Sequence, residues 1–127
     1  MKRSNAVTAI RGKYQPQFPA KYWGDAKRIT YRSMWERRFM LYCDRSNQIK
    51  QWSSEELHIP YIGPDEQWHN YYPDFVVVTN DDRTIVVEIK PHFQKGYKKN
   101  QAKWQYAREY CDKMGYEFKV LTEKELF

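Results

Sequence analysis

A chain of 127 residues suits one domain with a single core, and 41% hydrophobic and 17% aromatic residues can build one, which excludes a disordered tail. There are 22 Lys and Arg against 16 Asp and Glu, a net charge of +6 that suits either a polyanionic partner or a solvated basic surface that keeps the protein soluble. No apolar run is long enough to span a membrane, and the opening MKRSNAVTAIRGK has no apolar stretch behind its charges, so neither a membrane partner nor a signal peptide is expected.

The first thirty residues carry much of the excess charge: Lys2, Arg3, Arg11, Lys13, Lys21, Lys27 and Arg28 stand against Asp25 alone. They show no period and contain Pro16, Pro19 and Gly24, which predicts a basic arm over 1–30 wrapping a domain at 31–127. A helix is predicted from Met34 to Arg45, with Ser33 as N-cap and Glu36 in the capping-box position. Trp35, Phe39, Met40, Tyr42 and Cys43 share its apolar arc; Arg37, Arg38, Asp44 and Arg45 share the other. Glu36 falls inside the apolar arc, an odd place for a surface acid.

After this helix the chain reads as irregular up to a strand at 57–62, closed by Gly63-Pro64. Strands at 71–79 and 84–90 flank a polar turn, and Pro91 ends the second. A second helix is predicted with Asn100 as N-cap, Gly115 just past its end, and Trp104, Ala107, Tyr110, Cys111 and Met114 buried. A strand at 116–121 and a short terminal helix follow. This order predicts an α/β domain with a mixed sheet flanked by helices. Cys43 and Cys111, both in helical segments, read as reduced buried thiols.

The hairpin holds the chemistry. In YYPDFVVVTNDDRTIVVEIKP, Glu88 and Lys90 share one strand face and Ile89 takes the other. A two-residue Asp81-Asp82 loop would set Asp74 opposite Ile89; a three-residue Asn80-Asp81-Asp82 loop would set it opposite Glu88. Two such carboxylates repel unless a cation lies between them, and a hard ion with oxygen ligands, Mg²⁺ above all, resolves the conflict. The Ile89 carbonyl would add a ligand and Glu36 would lean in from the helix. Lys90 would orient an attacking water or steady charge on a phosphate. Such a site hydrolyses phosphodiesters.

Pro73-Asp74, then Glu88-Ile89-Lys90, with Glu36 in a preceding helix, resemble the PD-(D/E)XK nuclease superfamily. YRSMWERRFMLYCDR, WSSEELHIPY, YYPDF, EIKP and NQAKWQYAREYCDKMGYEFKVLTEKEL, in order over 31–126, are similar to the nuclease domain of TnsA transposon endonucleases. They resemble still more closely the head completion nucleases of tailed phages. The resemblance implies a restriction-endonuclease-like fold, a catalytic set of Glu36, Asp74, Glu88 and Lys90, and Mg²⁺ with Mn²⁺ able to substitute. It also implies double-stranded DNA as substrate, a portal or neck protein as partner, and a place in the infected cell's cytoplasm or the virion. Arg11, Lys13, Lys95, Lys98, Lys99 and Lys103 are the expected DNA contacts, phosphate-directed and salt-sensitive. Lys103, on the apolar arc of its helix, either snorkels to solvent or reaches the phosphate. His58 and His69 have no zinc spacing, His92 reads as a loop or DNA-contact residue, and Glu55 and Glu56 read as solvated. The competing functions are a non-catalytic DNA-binding or head-joining protein on a nuclease fold, and a transposon end-cleaving enzyme.

Overall fold

The computed structural model describes residues 11–126, so Lys2 and Arg3 of the predicted arm lie outside it. From residue 11 the arm packs against the domain. Gly12–Lys13 (β1) and Thr30–Tyr31 (β2) pair as a short antiparallel ribbon, and Tyr14, Tyr22 and Ile29 are buried in the main core. The anchor is Asp44. The helical period places it on the polar side of its helix, yet it is fully buried. It accepts hydrogen bonds from Tyr14 Oη at 2.6 Å, Gln17 N at 2.7 Å and Phe18 N at 3.0 Å. Lys21 Nζ donates to the Asp44 and Ser46 carbonyls at 2.9 and 2.8 Å, serving a helix end whose carbonyls lack partners within the helix.

Helix α1 spans Met34–Arg45 as predicted, and Ser33 Oγ accepts from Glu36 N at 3.1 Å. Tyr42, expected in the apolar arc, is half exposed instead. The segment read as irregular contains a strand, Ile49–Ser54 (β3); a register shift between Ile49 and Gln51 breaks the alternation that would have marked it. Ile59–Ile62 (β4) and Trp68–Tyr71 (β5) form a separate antiparallel ribbon. The single strand expected at 71–79 is therefore two, because the chain bends at 72–74, where Pro73 has no N–H for a ladder.

Phe75–Thr79 (β6) and Thr84–Ile89 (β7) lie at the centre of a four-stranded sheet with β3 on one edge and Glu117–Leu121 (β8) on the other. The pairings are antiparallel except β7 with β8, which is parallel and bridged by α2, Lys98–Met114. Helix α2 starts ahead of the predicted cap: Asn100 is buried in its first turn and its side-chain amide donates to the Gln94 carbonyl at 2.8 Å. Gly115, at φ 76°, supplies the left-handed residue that ends α2, and Tyr116 N returns to the Cys111 carbonyl at 2.8 Å. A short helix, Glu123–Leu126 (α3), closes the described chain. No helix among the described residues is long and apolar enough to cross a membrane.

Two apolar clusters cover the two sheet faces. On one, Phe39, Met40 and Cys43 of α1 pack with Trp52, Phe75, Val87 and the arm tyrosines. On the other, Trp104 and Ala107 of α2 pack with Ile59, Tyr61 and Tyr71 of the β4–β5 ribbon. Both cysteines are buried and free, as expected. Alternation along β7 sends Val87 and Ile89 to the first face and Val86 and Glu88 to the second.

Candidate active site

The β6–β7 register decides the site. Phe75 pairs with Val87, Val76 with Val86 and Val78 with Thr84, so the next step sets Asp74 opposite Glu88. The loop is the odd-length one: Thr79 N donates to the Arg83 carbonyl at 2.9 Å across Asn80, Asp81 and Asp82, and Asp82 takes φ 65° as the left-handed residue of such a loop. Hydrogen-bonded and non-bonded pairs alternate in antiparallel ladders. Counting from the bonded pair of Thr79 and Arg83, Asp74 and Glu88 form a non-bonded pair, the kind whose side chains stand closest.

One step further, Ile89 should exchange both its backbone bonds with residue 73. That residue is proline. The Ile89 N–H turns instead to Asp74 Oδ2 at 2.8 Å, and the Ile89 carbonyl is left without its ladder donor. Thus Pro73 aims Asp74 and frees a backbone oxygen beside it.

Asp74 and Glu88 form part of the wall of a cleft of about 990 Å³ bordered by Tyr61, Tyr71, Lys90, Lys99 and Lys103. Glu88 is only 3% exposed. Burial, then the charges of Glu88 and Glu36, hold the Asp74 carboxyl well above the usual carboxylate range. Burial also raises Glu88, against the opposing pull of Lys90, Lys103 and the Tyr71 hydroxyl. Tyr71 Oη donates to Glu88 Oε1 at 2.9 Å, and Lys90 Nζ lies 3.9 Å from Glu88 Oε2. Burial lowers the Lys103 pKa, and its ammonium rests 5.1 Å from the Tyr71 ring centroid.

Glu36 approaches but does not join. Its Oε1 accepts from Arg32 N at 3.0 Å, one residue beyond the usual capping-box donor. Burial raises its pKa, with Glu55 and Glu88 adding to the shift. Among the described residues no three His, Cys, Asp or Glu side chains are gathered closely enough to hold a metal ion. Asp74 and Glu88 line the cleft together, and with the adjoining Ile89 carbonyl, whose ladder partner Pro73 has no N–H, they would offer an all-oxygen set suited to a hard divalent cation completed by water.

The remaining expected residues divide. Lys99 and Lys103 border the cleft, whereas Lys95 lines a separate groove with Trp104, Arg108 and Phe118. Lys98, Arg11 and Lys13 are exposed. Glu55, read as solvated, is instead paired with Arg32 and borders the cleft, because the arm brings Arg32 across to it. Tyr71 was missed as a site residue. Its place three residues before the acid of YYPDF was the available cue, but only the bend at 72–74 turns its hydroxyl to Glu88.

This chain matches the family described as TnsA-like endonuclease N terminal over residues 46–123. It belongs to that family. It is also 32% identical over 141 residues to the head completion nuclease of Enterobacteria phage T4, covering 93% of this chain and 94% of that protein. The family match spans β3 to β8 and so contains Asp74, Glu88 and Lys90; Glu36 lies before it. The family's α/β nuclease domain is thus the one built here around the β6–β7 hairpin.

Proposed function

We propose that this protein is a metal-dependent deoxyribonuclease that hydrolyses phosphodiester bonds of double-stranded DNA in the cleft beside Asp74 and Glu88. The observation that carries this reading is the opposed pair of carboxylates at the cleft wall, Glu88 buried and Asp74 partly so. A fold built only for stability gains nothing from such repulsion. Mg²⁺ suits the donor set, Mn²⁺ could replace it, and Glu36 would join by releasing the Arg32 N–H. When bound, such an ion supplies charge neutralisation at a phosphate oxygen and a more acidic water. Lys90, beside Glu88, orients the attacking water and steadies charge developing on the phosphate. Lys99 and Lys103 grip phosphates at the cleft; Lys95, Lys98, Arg11 and Lys13 extend the contact along the backbone, with little sequence preference.

The head completion relative supports a role in finishing phage heads. In this reading the protein trims packaged DNA in the infected cell's cytoplasm, is retained in the virion, and is placed by a portal or neck protein, since its small surface selects little sequence. The test incubates supercoiled and linear DNA with the protein in Mg²⁺ or in EDTA, beside Asp74→Ala. Cleavage by the wild type in Mg²⁺ alone is expected. Equal cutting by Asp74→Ala removes the site, and no cutting by a folded wild type moves a non-catalytic head-joining role to first place.

A further inference from the structure

The hydrogen bond between Tyr71 and Glu88 has a direction that matters. Tyr71 is 3% exposed, and its ring is fixed on three sides: it packs with Tyr61 and Trp104 in the second cluster, and Lys103 Nζ lies over its face. Its hydroxyl donates to Glu88 Oε1 at 2.9 Å. The other oxygen, Oε2, faces Lys90 at 3.9 Å, too long for a hydrogen bond. Oε1 is therefore tied to a side chain, whereas Oε2 has no side-chain hydrogen bond. Asp74 shows the same division, with Oδ2 taken by the Ile89 N–H.

We propose that Tyr71 is a positioning residue for the metal: its hydroxyl fixes the Glu88 carboxylate so that Oε2 is presented as the ligand oxygen. The inference rests on the proposed nuclease reading and adds to it a residue from outside the hairpin. Partners that orient a ligating side chain through its second polar atom are typically worth about 10- to 100-fold in metal affinity. A tyrosine in this place also ties the β4–β5 ribbon and α2, which hold its ring, to the geometry of the acids.

The test measures Mn²⁺ binding to the full chain by isothermal titration for the wild type, Tyr71→Phe, Glu88→Gln and the double variant, with thermal unfolding in EDTA as the check on folding. Tyr71→Phe keeps the ring and its packing and removes only the donor. It should weaken Mn²⁺ about tenfold or more, raise the Mg²⁺ concentration for half-maximal DNA cleavage by a similar factor, and recover most of the maximal rate at saturating Mg²⁺. In the Glu88→Gln background the same change should have no further effect on affinity. Tyr71→Met, which fills the same space without a hydroxyl, takes the place of Tyr71→Phe if that variant is poorly folded, and should show the same loss of Mn²⁺ affinity. Wild-type affinity in Tyr71→Phe, or an equal loss in both backgrounds, overturns the role of Tyr71 alone. A wild type that binds no Mn²⁺ overturns the nuclease reading itself.

Discussion

Without a metal, Asp74 and Glu88 face each other at the cleft wall at neutral pH, and the raised pKa of each means that folding favours their protonated forms. The sign follows. A carboxyl with a raised folded pKa adds stability below its unfolded value, near 4, and that stability is lost as pH climbs through the folded value. Metal-free wild type should weaken from acid toward neutrality, by about 1.4 kcal/mol for each pH unit that separates the unfolded value from the folded one. Asp74→Asn, which can still accept the Ile89 N–H, should melt higher than wild type in EDTA at neutral pH, with a gap that shrinks toward pH 4 and closes when Mg²⁺ is added. Its cleavage should be abolished; thermal melts across pH read the first outcome and a plasmid assay the second. Glu36→Gln separates two roles of one side chain. The amide oxygen can still accept from Arg32 N, so stability should hold within about 0.5 kcal/mol, while cleavage should fall about 10- to 100-fold. Wild-type cutting by Glu36→Gln would leave Glu36 a capping residue only.

The hairpin works as an element because its loop has three residues and its last one, Asp82, accepts a left-handed backbone. A register slip of one would send Glu88 and Val86 to the face that carries Val87 and Ile89, so the loop and the burial pattern enforce the same pairing. Asp82→Val places a β-branched side chain at φ 65° and should cost about 1–2 kcal/mol in chemical denaturation. Asp82→Gly should be neutral or slightly stabilising, since the lost ion pair with Lys50 is exposed and worth little. Both variants should keep wild-type Mn²⁺ affinity if the loop sets the register and nothing else. Part of this is legible beforehand, because alternation in 84–90 puts Glu88 and Lys90 on one face, and loop parity narrows the place of Asp74 to two registers, of which the structure has the one that sets it opposite Glu88. The strand at Ile49–Ser54 was not, since its bulge hides the period, nor was the break at 72–74.

Across the whole molecule, the arm and the site are joined through α1. Asp44 secures the arm at one end of the helix, and Arg32, where the arm returns, holds Glu36 and Glu55 at the other. Asp44→Asn leaves one acceptor oxygen for the Tyr14, Gln17 and Phe18 donors, so it should cost about 1–3 kcal/mol and expose the arm to proteolysis between Tyr14 and Lys21. A fully protected arm in that variant would show that the aromatic packing alone holds it.

The sequence by itself determined both long helices, the strands that alternate cleanly and the identity of the acids. Helix period, strand alternation and Gly115 are short-range facts, and two carboxylates and a lysine in an apolar hairpin demand a chemical reason. Only the tertiary structure decided which oxygens are open. That Asp44 is buried, that Glu55 meets Arg32, that Glu36 is held back, that Tyr71 reaches Glu88 and that Lys95 leaves the cleft all depend on elements distant in the chain being packed together. Burial and hydrogen-bond partners are set by that packing, and no pattern within one segment encodes them.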